Sequence, residues 1–184
     1  MISKQFFSTI LNFFIIFLLF YSCEGVNNLQ VHGYCKEAAH SDPNLSYAFC
    51  VASLEANPRS KKADLEELLN ITLHLTISNA TNIASSIKQL LDGKNFDPYT
   101  RGALKDCLEL YLDADSSLHD AICDFKSKDY FKANLDASAA MDSAITCEDD
   151  FKEKKGVVSP LTRENDTFFQ LTAMVLAFLK MLSS

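Results

Sequence analysis

Residues 98–126 read PYTRGALKDCLELYLDADSSLHDAICDFK, and their pattern predicts the fold. Apolar side chains recur every three or four positions, which is the spacing of one face of an α-helix. Pro98 suits the first helical turn, because an N–H at that position would have no partner within the helix. The stretch therefore predicts an amphipathic helix with one face packed against other elements. That face consists of Leu104, Cys107, Leu108, Tyr111, Leu118, Ile122 and Phe125.

Three more stretches repeat apolar residues at helical spacing, and strand-like alternation is absent from the sequence. They predict helices over 61–92, 129–147 and 162–183, and Gly93 is a natural residue to end the first of them. Alanines dominate the apolar side of 129–147, so a neighbouring helix must approach closely. Four amphipathic helices joined by short or moderate loops predict an all-α fold, an up-down-up-down four-helix bundle over 61–183.

Residues 1–25 are predicted to be a signal peptide. Lys4 supplies a positive start, residues 13–20 form the short apolar run FFIIFLLF, and Cys23 and Gly25 suit cleavage after Gly25. No later run is long and apolar enough for a membrane span. We expect secretion to the cell wall or apoplast, with the vacuole as the less favoured destination.

The mature chain, 26–184, has the length of one domain with a substantial core. Its first part, 26–58, predicts a helical hairpin in which two short helices flank a turn at residues 40–44. Cys35 and Cys50 stand on either side of this turn, so a bridge between them would close the hairpin.

Six cysteines are present, and five remain once the signal peptide is removed. In an oxidising compartment this odd number predicts two bridges and one free thiol. Besides the hairpin bridge, Cys107 and Cys147 lie at neighbouring ends of two antiparallel helices and can pair. Cys123 lies off the centre of its helix's apolar side, and we expect an unpaired, largely buried thiol there.

Four Asn-x-Ser/Thr sequons are consistent with secretion, at Asn44, Asn70, Asn79 and Asn165. Asn70 points away from the apolar stripe of its helix, which makes it the better glycan site of that helix. Asn79 points along the stripe, where a glycan would oppose packing, and it is the poorest of the four.

Composition and motifs argue against several functions. The net charge of −7 disfavours binding to nucleic acid or to an anionic membrane. The sequence lacks the hydrolase, metalloprotease, phosphate-loop and dinucleotide motifs. It also lacks a CxxC pair and any histidine at ligand spacing, so we expect neither a metal nor a cofactor. The chain is predicted not to be an enzyme.

Acidic residues form one stripe on the helix over 98–126. At 100° per residue they span about 60°, opposite the apolar face. Such a stripe is either a solvated face or a docking surface for a basic partner. Tyr130 and Phe131, at the following loop–helix junction, predict either a local core contact or a contact with a partner. The stripe consists of Asp106, Glu109, Asp113, Asp120 and Asp124.

Two motifs then carry a family resemblance. Residues 128–140 read KDYFKANLDASAA and residues 146–151 read TCEDDF. Together with the four-cysteine frame and the stretch Asn57-Pro-Arg-Ser60, they resemble the plant invertase and pectin methylesterase inhibitor family. The resemblance extends over about residues 29–183. It implies a four-helix bundle with an N-terminal hairpin, the bridges Cys35–Cys50 and Cys107–Cys147, and a 1:1 complex that blocks the cleft of a target enzyme.

The resemblance also implies which residues face the target. Glu109 and Asp113 match acidic contact positions after the third cysteine, a third such position is Ser116 here, and Thr146 matches the contact before the fourth cysteine. Invertase inhibitors of the tobacco type carry a Pro-Lys-Phe motif where this chain reads DYFK at 129–132. We therefore expect a pectin methylesterase as target, with acid invertase as the alternative. A third possibility is a bundle that carries a small apolar ligand, or an abundant pollen-type protein without inhibitory activity.

Overall fold

The computed structural model describes residues 29–183, so the predicted signal peptide lies outside the described residues. Over that range the regular structure is six α-helices and one short 3₁₀ helix. In chain order the elements are α1 (Leu29–Ser41), α2 (Tyr47–Glu55), the 3₁₀ helix (Pro58–Lys62), α3 (Leu65–Gly93), α4 (Pro98–Lys126), α5 (Tyr130–Lys152) and α6 (Thr162–Leu182).

The four long helices form the predicted bundle. Each packs against the helix that follows it, and α6 closes the ring against α3. Short connections over 94–97 and 127–129 force α3, α4 and α5 to run antiparallel to their neighbours, and a longer one over 153–161 returns the chain to α6. This arrangement confirms the predicted all-α, up-down-up-down fold.

Two helix ends differ by more than one residue from the predicted bounds, each for a local reason. The helix predicted from residue 61 starts later, because Pro58–Lys62 forms a separate 3₁₀ turn and the Asp64 side chain caps α3 by accepting the backbone N–H of Glu67 at 2.9 Å. The helix predicted to end at 147 continues to Lys152, because Phe151 extends its buried side.

The core contains most of the predicted apolar faces. On α4 only Leu108 of the predicted set is half-buried, and the others are buried. The alanines of α5 are buried as expected, which lets α4 and α6 pack closely on either side of it. Those alanines are Ala133, Ala137, Ala140 and Ala144.

Both disulfide bridges have the predicted pairing. Cys35–Cys50 joins α1 to α2 and closes the hairpin, and Cys107–Cys147 joins α4 to α5. Neither bridge ties the hairpin to the bundle. That attachment includes the side-chain amide of Gln170 on α6, whose Oε1 accepts the N–H of Ser46 at 2.8 Å and whose Nε2 donates to the carbonyl of Asn44 at 2.7 Å.

Among residues 29–183, no helix is long and apolar enough to cross a membrane. The apolar α6 is instead a bundle helix, with Phe168, Val175 and Phe178 buried.

Candidate functional site

The predicted acidic stripe lies on the outer face of α4. Asp106, Glu109, Asp113 and Asp120 are exposed, and so is Ser116 between them. No described residue forms an ion pair with any of these four carboxylates. The face therefore presents negative charge that no ion pair among residues 29–183 neutralises.

Asp124, the fifth member of the stripe, differs from the other four. Its side chain is only 14% exposed, and the Lys132 ammonium on α5 lies 3.1 Å from its Oδ1 and 3.0 Å from its Oδ2. The contact also raises the pKa of Lys132. Asp124 thus joins α4 to α5 and contributes little free charge to a partner.

Two carboxyl groups of α5 also belong to this face, and the stripe prediction omits them. Burial, reinforced by the neighbouring Asp124 carboxyl group, raises the pKa of Asp136. At the other end, burial and repulsion from Asp106 raise the pKa of Asp150. Asp136 and Asp150 are about four helical turns apart, so both lie on one side of α5. This spacing could have been found in the sequence. The acidic face is consequently built by two helices.

Thr146, which the family resemblance assigns to the target contact, is exposed on α5. Its neighbour Cys147 is bonded to Cys107 on α4. The bridge therefore holds Thr146 beside the end of the stripe that begins at Asp106.

The two aromatic residues at the start of α5 have different surroundings. Tyr130 is half-buried; its ring lies 6.3 Å from the Phe125 ring, and the Lys128 ammonium lies 5.9 Å from its centroid. For Tyr130, this is the local core contact, which is one of the two alternatives predicted from the sequence. Phe131 is 76% exposed, which leaves it available to a partner.

The prediction that Cys123 is largely buried is wrong. The thiol is unpaired within the described residues, as predicted, but it is exposed. The reason is angular: Cys123 lies five residues from the buried Leu118, roughly 140° around the helix. It therefore lies on the outer surface of α4, one turn from Asp120.

The four sequons differ in accessibility. Asn44 is exposed at the hairpin turn, Asn70 is half-buried on α3, and Asn79 is half-buried with its Oδ1 shielded from solvent. Asn165 is only 3% exposed, so its assignment as a glycan site does not fit this fold. The sequence places it one turn before the buried Phe168, on the inward side of α6.

The Asn165 side chain is part of a polar network. Tyr111 donates to its Oδ1 at 2.8 Å, and its Nδ2 donates to Glu148 Oε2 at 2.8 Å. Thr162 donates to the other oxygen of Glu148 at 2.9 Å. Burial, together with repulsion from Glu148 and Glu164, raises the pKa of Tyr111, so the phenol stays a neutral donor. A sugar on Nδ2 would displace Glu148 from this network.

The described residues contain no group of three or more His, Cys, Asp or Glu placed to hold a metal ion. His119 on α4 lies 3.7 Å from Asp115, one turn back on the same helix. The arrangement on α4 and α5 offers fixed negative charge and exposed apolar side chains, which are suited to binding another protein.

The fold and this face define a disulfide-bridged helical bundle with an acidic surface on α4 and α5. A family model described as plant invertase/pectin methylesterase inhibitor matches residues 30–178. A protein named "Putative invertase inhibitor" from Platanus acerifolia is 46% identical, covering 98% of this chain and 99% of its own length. Pectinesterase inhibitor 12 of Arabidopsis thaliana is 39% identical over 91% of this chain and 96% of its own.

A solved structure supports the same assignment. The crystal structure of a mutant form of a pectin methylesterase inhibitor from Arabidopsis superposes with a TM-score of 0.66 at 29% identity, covering 78% of this chain and 96% of that one. The chain belongs to the plant invertase/pectin methylesterase inhibitor family.

Proposed function

We propose that this chain, processed to residues 26–184, is a secreted inhibitor of a plant pectin methylesterase and not itself an enzyme. It acts in the cell wall by forming a 1:1 complex through the α4–α5 face, which excludes the substrate from the enzyme's cleft. Family membership supports the inhibitory role. The observation that carries the choice of surface is the set of four exposed carboxylates on α4 without an ion-pair partner among the described residues.

The position of two of these carboxylates adds to the argument. Glu109 and Asp113 are one turn apart and both exposed, and the bridge from Cys107 to α5 holds this part of α4 in a fixed orientation. Like charges at this spacing slightly destabilise a helix. Their cost is offset if a basic surface of the target neutralises them on binding.

An acid invertase is the alternative target, and one comparison favours it. The Platanus acerifolia relative, at 46% identity, is named as an invertase inhibitor. Against this, the Pro-Lys-Phe motif that the resemblance associates with tobacco-type invertase inhibitors is replaced by Asp129-Tyr-Phe-Lys132.

The first experiment titrates purified residues 26–184, with bridges intact, against a pectin methylesterase and an acid invertase in mildly acidic buffer. We expect stoichiometric inhibition of the pectin methylesterase. Inhibition of the invertase alone would reassign the target, and inhibition of neither enzyme at micromolar inhibitor would refute the proposal for the enzymes tested.

A second experiment reverses charge within the face, with Glu109→Lys and Asp113→Lys combined. The matched control is Glu37→Lys with Asp92→Lys, which makes the same change in net charge at exposed positions on α1 and α3. We expect the first pair to weaken inhibition and slow association, and the control to keep both. Equal effects from the two pairs would show that net charge matters and that the α4 face does not.

A further inference from the structure

Two exposed apolar side chains lie together on α5. Phe131 and Leu135 are one helical turn apart and therefore point to the same side of the helix. They are 76% and 53% exposed, respectively. Exposed apolar residues that occur singly are ordinary on a protein surface, whereas adjacent ones beside charged groups are typical of a contact region.

The contacts of neighbouring residues place this pair beside the acidic stripe. Lys132, which lies between the two in the sequence, forms an ion pair with Asp124 of α4. Leu135 therefore borders the α4–α5 junction at the end of the stripe opposite to Thr146. Phe131, one turn earlier, also borders an open groove of about 520 Å³ between α5, α6 and the end of α1.

The charges around Phe131 and Leu135 indicate which partner this surface binds. The Lys132 ammonium is engaged by Asp124, while Asp120 on the adjacent turn of α4 is exposed and has no ion-pair partner among residues 29–183. On its α4 side the apolar pair thus has an acidic border. A second copy of this chain, docked by a two-fold axis, would bring two acidic borders together. A target enzyme with a basic border around an apolar patch fits instead.

We propose that Phe131 and Leu135 are the apolar anchor of the target-binding face, and that the acidic stripe guides the target onto them. The inference rests on the proposed inhibitory function and adds Leu135 to the contact residues. Apolar anchors bordered by polar groups account for much of the binding energy in protein interfaces. Charges at the border mainly govern association rate and partner choice.

The test combines Phe131→Ala with Leu135→Ala in residues 26–184, with Val158→Ala as the matched control. Val158 is an apolar residue that is 82% exposed in the loop after α5, at the opposite end of that helix. All three side chains are exposed, so we expect thermal unfolding to be unchanged. The double variant is expected to raise the inhibition constant at least about tenfold, mostly through faster dissociation, and the control to leave it unchanged.

Three results would overturn the inference. One is that the double variant has the same inhibition constant as the unmodified chain, while Glu109→Lys with Asp113→Lys weakens inhibition in the same assay. Another is equal weakening by Val158→Ala. The third is a dimer, seen by light scattering, that the double substitution dissociates, since this would assign the face to a second copy. Failure of the unmodified chain to inhibit either enzyme would instead refute the proposed function, and the anchor with it.

Discussion

Tyr111 on α4 and Asn165 on α6 face each other inside the bundle, and the phenol hydroxyl donates a 2.8 Å hydrogen bond to the amide oxygen. Both residues are buried, and the Tyr111 ring also packs edge-on against Phe168 at 5.2 Å between centroids. This contact, continued through Glu148 on α5, joins three helices of the bundle by polar side chains.

The first prediction concerns that hydrogen bond. Tyr111→Phe removes the donor and leaves the buried oxygen of Asn165 unpaired, so we expect a loss of about 1–3 kcal/mol in the free energy of unfolding. Denaturant unfolding measures it. Tyr47→Phe is the control, because its hydroxyl contacts His32 at the surface and its loss should cost about 0.5 kcal/mol or less. Equal losses from the two substitutions would contradict the structural role of the network.

The second prediction concerns glycosylation. Asn165 is expected to carry no sugar in the folded, secreted protein, because its amide donates to Glu148 inside the bundle. Asn44 and Asn70 are the positions at which occupancy is expected. Glycopeptide mass spectrometry of the native protein from a plant host decides this, and a glycan on Asn165 in correctly folded material would show that α6 packs differently.

The third prediction concerns the free thiol. Cys123 is exposed on α4, so a thiol reagent added to native residues 26–184 should label one cysteine rapidly without denaturant. Cys123→Ser should abolish the labelling and leave both bridges intact. Labelling that requires unfolding would mean that the thiol is buried after all.

The fourth prediction concerns pH. The pKa of Asp136 is raised above its ordinary value of 3.8, first by burial and then by Asp124, so the folded state favours the protonated form. Its contribution to stability is therefore present at low pH and is lost as pH rises through the raised pKa. Asp136→Asn keeps a neutral group at this position, so its melting temperature relative to the unmodified chain should increase as pH rises from about 4 towards neutrality.

Melting curves at several pH values test this, and the difference from the unmodified chain removes the effect of other acids. Asp142→Asn, at an exposed position of the same helix, is the control and should show a nearly constant difference. If the melting-temperature difference for Asp136→Asn is equally constant with pH, folding does not raise the pKa of Asp136.

Much of the fold could be predicted from local pattern. The apolar spacing of 98–126 determined the extent of α4, since Pro98 starts the helix and polar residues follow Lys126. The bridge from Cys107 to Cys147 followed from placing two helices antiparallel, because a short loop leaves few other arrangements. Helix ends were less predictable, because the end of α5 depends on Phe151 finding a place in the core.

The candidate site was only partly predictable. Spacing along one helix identified the exposed acids of α4, because their angular position depends on helical geometry alone. The pairing of Asp124 with Lys132 and Asp136 required the packing of a second helix. Partners supplied by another element cannot be read from the periodicity of one stretch.

The sequence by itself determined that this chain forms helices, that its cysteines pair as two bridges, and that one face of α4 is acidic, because each depends on short-range spacing or on redox environment. Only the tertiary structure decided which of those acids stay free, that Asn165 bonds to Tyr111 and Glu148, and that Phe131 and Leu135 of α5 are exposed. The physical reason is that burial and charge pairing are set by contacts between helices. Those contacts exist only after α4, α5 and α6 have packed together.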